Sequence, residues 1–513
     1  MKHYITLSAV AVLAAASVQA QGLFDALTYT DQDILGTARY SSMAGAFSAL
    51  GGDISAVSDN PAGLGVYRWS EAQFSINFAY NQTKSDWEGM KRKGGNYSFN
   101  ANNASFVWSF ADREGEKGWL ANNIGFSYRR LKNFNRTYEV VGPASLNSMT
   151  DYLAGFTDGL SASTLSSLDA YTNTDVPYMS ELAYRSHLIA PSSGADSLSW
   201  HSILGSDEKS TARYKAVESG YLNEYQLTYG ANISNLVYWG VSFGLESLDY
   251  TRKLNYNEDF ASSGSFSLQN YFHASGVGYN FKIGVIARPV SFLRIGFALH
   301  TPTFYTLKNS HYGKMDYGVA VDSVGSTDTN YTSTGSDRYS FRTPLKLQAG
   351  VGFVIGQSAI VSVDYRYTGK NYRLGSNYTS TDFTSAYEAD NEDIKNYVRA
   401  THQVRLGVEG KVLDALSLRA GVAYTTPSCK DAAERLLPLN TTRTDLEYMR
   451  SNGKFGSIYA AAGIGYRYKG FAVDVAYTYR QQREEWLPYN SDITPATIKT
   501  HKHNLIASFS WKF

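Results

Sequence analysis

The 513-residue sequence predicts an all-β protein, a transmembrane antiparallel β-barrel of about fourteen strands with a small N-terminal helical hatch in the lumen. Three observations carry that expectation. An export signal is followed by no membrane helix. Apolar residues then alternate with period two along most of the chain. The connections between the alternating segments are short and long in turn.

The signal is residues 1–20, MKHYITLSAVAVLAAASVQA. Lys2 supplies the positive start, Ile5 to Ala16 the apolar stretch, and Val18 and Ala20 the small residues of a cleavage site. The stretch is too short to stay in a bilayer as a helix. No later apolar run reaches the roughly 20 residues that a membrane helix needs. A mean hydropathy of -0.31 likewise excludes a bundle of such helices. Lys and Arg number 47 against 46 Asp and Glu, which leaves no basic surplus for nucleic acid. A single Cys excludes an internal disulfide framework and a zinc knuckle.

The alternation is clearest at the C-terminus. Leu505, Ala507, Phe509, Trp511 and Phe513 share one parity, and Asn504, Ser508, Ser510 and Lys512 the other. Strand side chains point to opposite faces in turn, so one face is apolar and one polar. Phe74, Ile76 and Phe78 oppose Ser75 and Asn77 in the same way, as Val361, Val363 and Tyr365 oppose Ser362 and Asp364. Such segments start near residues 71, 102, 122, 222, 237, 268, 291, 339, 358, 396, 414, 454, 470 and 500. Apolar-out, polar-in alternation over an even number of strands is the pattern of an outer-membrane barrel. The 40 Tyr suit the aromatic girdles of such a barrel. Trp239, Tyr466, Tyr468, Tyr479 and Trp511 are girdle candidates. Links such as Gly356–Gln357, Leu413–Asp414 and Lys469–Gly470 are short. Those near 82–101, 310–338, 375–395, 427–453 and 486–499 are long, and the longest covers about 134–221. The short links belong to the periplasmic end and the long ones to the extracellular end. The domains are therefore a signal peptide at 1–20, a hatch at 21–70 and a barrel at 71–513.

Residues 21–70 lack the alternation. Ala38 to Leu50 reads as a short helix of small residues, Gly51–Gly52 break it, and Ile54 to Val57 begins another turn. Asn60-Pro61-Ala62-Gly63 is a tight turn by its Pro and Gly chemistry. A barrel of about fourteen strands would otherwise leave an aqueous hole, so this segment is expected to plug it.

The run GTARYSSMAGAFSALGGDISAVSDNPAGLG resembles the hatch of the FadL-type (TodX-like) family, transporters of long-chain fatty acids and other hydrophobic compounds in Gram-negative outer membranes. The matching positions are Met43, Ala44, Gly45, Ala46, Phe47, Gly52, Asp53, Asn60, Pro61, Ala62 and the adjoining Gly63. The resemblance implies capture of a hydrophobic small molecule at extracellular loops, hatch-gated passage, and sideways release through a gap in the wall into the membrane lipid. The terminal aromatic Phe513 resembles the signal read by the barrel-assembly machinery. The shuttle protein of the type IX secretion system resembles this fold and hatch too, and stands as the alternative reading. The longest loop argues mildly for transport.

Two residue sets follow. In that loop Met149, Leu153, Phe156 and Leu160, then Met179 and Leu182, recur at helical spacing. They are expected to cap the barrel, to form an apolar capture groove, or both. Inward-facing positions carry Arg129, Arg294, Lys346, Arg366, Arg405, Arg419 and Arg480, with Glu246, Lys282, Asp364, Glu409 and Asp474. These form an ion network holding the hatch, or supply a cation to a carboxylate ligand. His501 and His503 share a strand face, too few ligands for a metal site. No nucleophile elbow or triad is legible, so no enzyme and no cofactor are expected.

Overall fold

The computed structural model describes residues 23–112, 115, 117–167, 178–194, 196–318, 338–356, 358–376, 387–430, 449–451, 456–487 and 493–513. The signal segment lies outside them. Fourteen antiparallel strands close on themselves. They are β1 (Glu71–Trp87), β2 (Met90–Ala111), β3 (Trp119–Asn133, continued by Arg136–Val141), β4 (Ser210–Ile233), β5 (Val237–Phe260), β6 (Ser265–Val290) and β7 (Leu293–His300, then Phe304–Gly318). Next come β8 (Arg338–Arg342, then Lys346–Ile355), β9 (Ala359–Thr368, then Arg373–Ser376), β10 (Thr401–Leu413), β11 (Leu416–Thr425), β12 (Ser457–Tyr468), β13 (Phe471–Leu487) and β14 (Ala496–Lys512). β1 pairs with β14 from Glu71↔Lys512 to Asp86↔Thr497, so the sheet has no edge there. The breaks in β7 and β8 fall at Pro302 and Pro344, which have no N–H for the ladder.

Below the middle of the barrel the outer face is apolar. Phe78 is 57% exposed, and Phe243, Leu245, Phe281, Ile283, Leu406, Val422 and Leu505 stand out beside it. A continuous apolar belt of this kind belongs in lipid. Trp108, Trp119, Tyr466, Tyr468, Trp511 and Phe513 ring the short-turn end.

Above the middle the polarity inverts. On β5 the outward series Val241, Phe243, Leu245 gives way to an inward series of Leu248, Tyr250, Leu254 and Tyr256. Outward positions there are Asp249, Thr251, Lys253 and Asn255. β6 switches at the paired level, because Leu248 faces Gly276 across the ladder. The strands therefore project beyond the belt and enclose an apolar interior.

The described residues of 142–209 cover this projection with three helices, α4 (Met149–Thr157), α5 (Ala162–Ser167) and α6 (Tyr178–Arg185). Ser148 and Asp151 form a reciprocal capping box that starts α4. The loop expected at 134–221 is shorter at both ends, since β3 and β4 run further. The expected loop at 82–101 is instead a hairpin turning at Glu88–Gly89, with Trp87 opposite Met90. Lys84, Ser85, Asp86, Lys91, Arg92 and Lys93 hid it, because above the lipid neither face needs to be apolar.

Candidate functional site

The hatch lies inside the barrel as a chain of small capped turns. They are α1 (Leu23–Thr30), α2 (Ala38–Ser42), α3 (Ile54–Val57) and a 3-10 turn at Pro61–Val66. The helix expected over Ala38–Leu50 stops at Ser42. Met43 caps it, and Ala44 and Gly45 then adopt positive φ, which turns the chain flat along the wall. Met43, Phe47, Asp53, Ala62 and Gly63 are all buried.

Asn60 ties the turn to both sides. Its side-chain oxygen accepts from the Ala62 N–H at 3.1 Å, and its Nδ2 donates to the Ser48 carbonyl at 2.6 Å and the Val285 carbonyl at 3.3 Å. This close approach needs a wall without side chains. A Cβ at Gly284 would meet the Asn60 oxygen at 1.9 Å, and one at Gly240 the Pro61 carbonyl oxygen at 2.4 Å. Gly230, Gly240 and Gly284 stand opposite one another on β4, β5 and β6.

Of the eight inward cations read from the sequence, six bind the hatch or the groups that hold it, and Lys282 pairs with Glu224 of β4. Asp59 receives Arg405 at 2.6 Å, Arg366 at 2.7 Å and Arg129 at 3.5 Å. The Tyr40 hydroxyl donates to the same carboxylate at 2.7 Å. Burial pushes the Asp59 carboxyl up, but the guanidinium groups of Arg366, Arg405 and Arg129 prevail and hold it well below the ordinary carboxylate value. Arg480 pairs with Asp33 at 2.5 Å and Asp31 at 2.6 Å. Arg419 pairs with Glu409 and Asp474, and the hatch residue Arg39 shares Glu409. Arg294 donates to the Leu50 carbonyl. Lys346 makes no ion pair within 4 Å among the described residues. It lines a cavity of about 110 Å³ with Leu27, Tyr372, Arg366 and Arg480.

That cavity adjoins a packed aromatic cluster above the hatch. Tyr29 of α1 stands edge-on to Tyr250 at 5.8 Å and to Phe341 at 6.2 Å. Phe134, Phe272, Tyr305, Leu307 and Leu374 pack into the same cluster. The sequence reading missed this cluster and the hatch carboxylates Asp31, Asp33 and Asp59. The parity switch after Leu245 and before Val277 was the available signal for the cluster.

The loop residues sit over this aromatic cluster. Met149, Leu153, Met179 and Leu182 are buried in one cluster with Trp87, Tyr138, Tyr214, Tyr256 and Trp486. Phe156 and Leu160 are half-buried against it. These side chains pack against one another.

The wall has an irregular seam between β2 and β3. β2 pairs with β3 only from Ala111↔Ala121 to Asn103↔Arg129. Above that, β3 turns inward and its backbone is held by side chains of β1. Thr83 donates to the Thr137 carbonyl at 2.6 Å, flanked by the same contacts from Asn81 to Asn135 and from Ser85 to Glu139. The upper half of β2 is left with side-chain bridges. Arg130 reaches Asn100 at 2.7 Å, and Asn133 reaches Ser98 at 2.8 Å.

Below the hatch a polar vestibule of about 540 Å³ opens between the short turns, lined by Arg39, Glu409, Lys411, Asp414, Asp474 and Lys512 among others. His501 and His503 face outward and accept from or donate to Tyr479 and Tyr477 at 2.7 Å each. No group of metal-binding side chains occurs among the described residues.

The geometry defines a plugged fourteen-stranded barrel. The solved structure of a Pseudomonas aeruginosa FadL homologue has the same fold, with a TM-score of 0.55 at 13% identity over 94% of this chain and 99% of that one. The toluene transporter TodX of Pseudomonas putida aligns with a TM-score of 0.48 at 11% identity, over 94% and 99%. No family model and no curated protein sequence matches the chain.

Proposed function

We propose that the protein is a passive outer-membrane channel for hydrophobic molecules such as long-chain fatty acids, gated by its hatch and not an enzyme. The observation that carries the reading is the inward-facing aromatic cluster above the plug, beside a cavity of about 110 Å³. Inward-facing Tyr and Phe cost free energy in a water-filled porin and suit an apolar guest. A ligand carboxylate would meet Lys346, which lines the cavity and makes no ion pair within 4 Å among the described residues. The loop residues Met149, Leu153, Phe156, Leu160, Met179 and Leu182 form the entry cap, which must open for capture. Met43, Gly45, Phe47, Asp53, Asn60, Pro61, Ala62 and Gly63 form the gate.

Exit downward is unfavourable for an apolar molecule, since the vestibule is lined with charge. The β2–β3 seam is the alternative route, because only side chains bridge it, and it leads into lipid. Phe513, exposed at the end of β14, serves recognition by the barrel-assembly machinery.

Two experiments test this. Mass spectrometry of molecules carried through purification should find fatty acids or other apolar compounds. A bound polypeptide in their place would favour the secretion-shuttle reading. A Ser98→Cys/Asn133→Cys pair should close the seam when oxidised and abolish uptake of a labelled long-chain fatty acid, with recovery on reduction. Undiminished uptake in the cross-linked protein would exclude the seam.

A further inference from the structure

A row of cations crosses the outside of the barrel above its upper aromatic girdle. Lys93 on β2 faces Lys84 on β1, Lys84 faces Lys499 on β14, and Lys499 faces Arg483 on β13. All four positions share the outward parity of Phe78, Leu505 and Tyr477. Lys84, Lys93 and Lys499 are exposed. Like charges directly opposite in a sheet destabilise it. Among the described residues no carboxylate lies within ion-pair distance of those three lysines, whereas Lys91, one step higher, pairs with Asp86 at 3.9 Å. Asp86 and Glu485 are the acidic groups of that higher row, each two residues from the cations on its own strand.

The girdle is in the same register four residues below. Tyr97 stacks on Tyr80 at 4.4 Å, Tyr80 on His503 at 6.1 Å, and Tyr479 lies 5.2 Å from His503. Tyr97 is 80% exposed, so its ring is free for lipid. Four residues of strand span about 13 Å, less in height once tilted. Lys side chains reaching down from there meet the headgroup layer, with their stems along the aromatic rings. Gln82, His501 and Gln481 fill the row between.

We infer that this face binds a phosphorylated glycolipid of the outer leaflet. Its phosphates bridge Lys93, Lys84 and Lys499, and its acyl chains lie on Tyr80, Tyr97 and Phe78. The occupant follows from three features of the patch. Its three lysines have no carboxylate within ion-pair distance among the described residues, it is continuous with the lipid belt below, and several adjacent lysines suit a ligand with more than one phosphate. The inference rests on the outer-membrane reading but not on what the lumen transports.

The test is native mass spectrometry of the full barrel given bisphosphorylated lipid A, lipid A stripped of phosphate, or phosphatidylethanolamine. The wild type should retain the bisphosphorylated lipid at least tenfold better than the other two. The K84Q/K93Q/K499Q variant should lose that preference, and K84R/K93R/K499R should keep it. Equal retention of the stripped lipid, or an unchanged preference in the glutamine variant, would overturn the proposal. So would displacement of the lipid by millimolar inorganic phosphate, which would make the row a free-anion site. Heat-modifiable gel migration reports folding of each variant. Fatty acid uptake, measured separately, tells failure here from failure of the transport reading.

Discussion

The lower and upper halves of this barrel are opposites. Below, the outside is apolar and the inside holds buried ion pairs between wall and hatch. Above, the outside is polar and the inside is aromatic. One strand such as β5 serves both, reversing its faces near Glu246. The difference teaches that an interior is set by its filling. A polar hatch needs a polar lining, with each charge paired. The upper interior is filled instead by apolar side chains that bury one another.

The comparison can be broken at four points. The largest effect is expected from Asp59→Asn, which strands Arg129, Arg366 and Arg405. Removing one partner of a buried ion network costs about 3–5 kcal/mol. The hatch should loosen, seen as raised conductance in planar bilayers. Phe341→Ala acts in the upper half. It should cost roughly 3 kcal/mol by cavity formation and weaken binding of an apolar probe in a fluorescence titration, with conductance unchanged. If conductance also rises, the halves are not separable. Asn60→Ala removes the cap and the ties to Ser48 and Val285, and should cost about 1–2 kcal/mol. Uptake should fall while assembly, followed by gel migration, survives. The smallest effect concerns pH. The Asp59 value is lowered in the folded protein, so its stabilisation is present above the unfolded value near 3.9 and is lost only as pH falls through the folded value. The Asp59 contribution to hatch docking should therefore be the same at pH 7 and pH 5, and a smaller conductance difference between wild type and Asp59→Asn at pH 5 would contradict the clamp.

Much of the fold was legible because a lipid-facing strand must alternate. Ser75 and Phe74 announce their faces in any sequence. The β1–β2 hairpin was not legible, since above the lipid its residues obey no such rule. The aromatic cluster was half-legible. Leu248, Tyr250, Leu254 and Tyr256 do alternate, but their parity means inside only once the neighbouring switch at Leu245 is noticed. The hatch clamp could not be read at all. Asp59 and Arg405 are separated by 346 residues, and only closure of the sheet brings them together. The cap residues Met149 and Leu153 showed their helical spacing but not that their apolar faces meet each other.

Glycines 230, 240 and 284 leave a dent in the wall that fits Asn60, Pro61 and Leu64. The barrel therefore carries an imprint of its plug in its own strands. Each glycine weakens its strand by about 0.5–1 kcal/mol relative to alanine, a handicap that only the seated hatch offsets. Plug and barrel are thus not interchangeable parts. A hatch grafted from another barrel would seat only where the host had the same missing side chains. A barrel shorn of its hatch would keep a soft band where the dent lies.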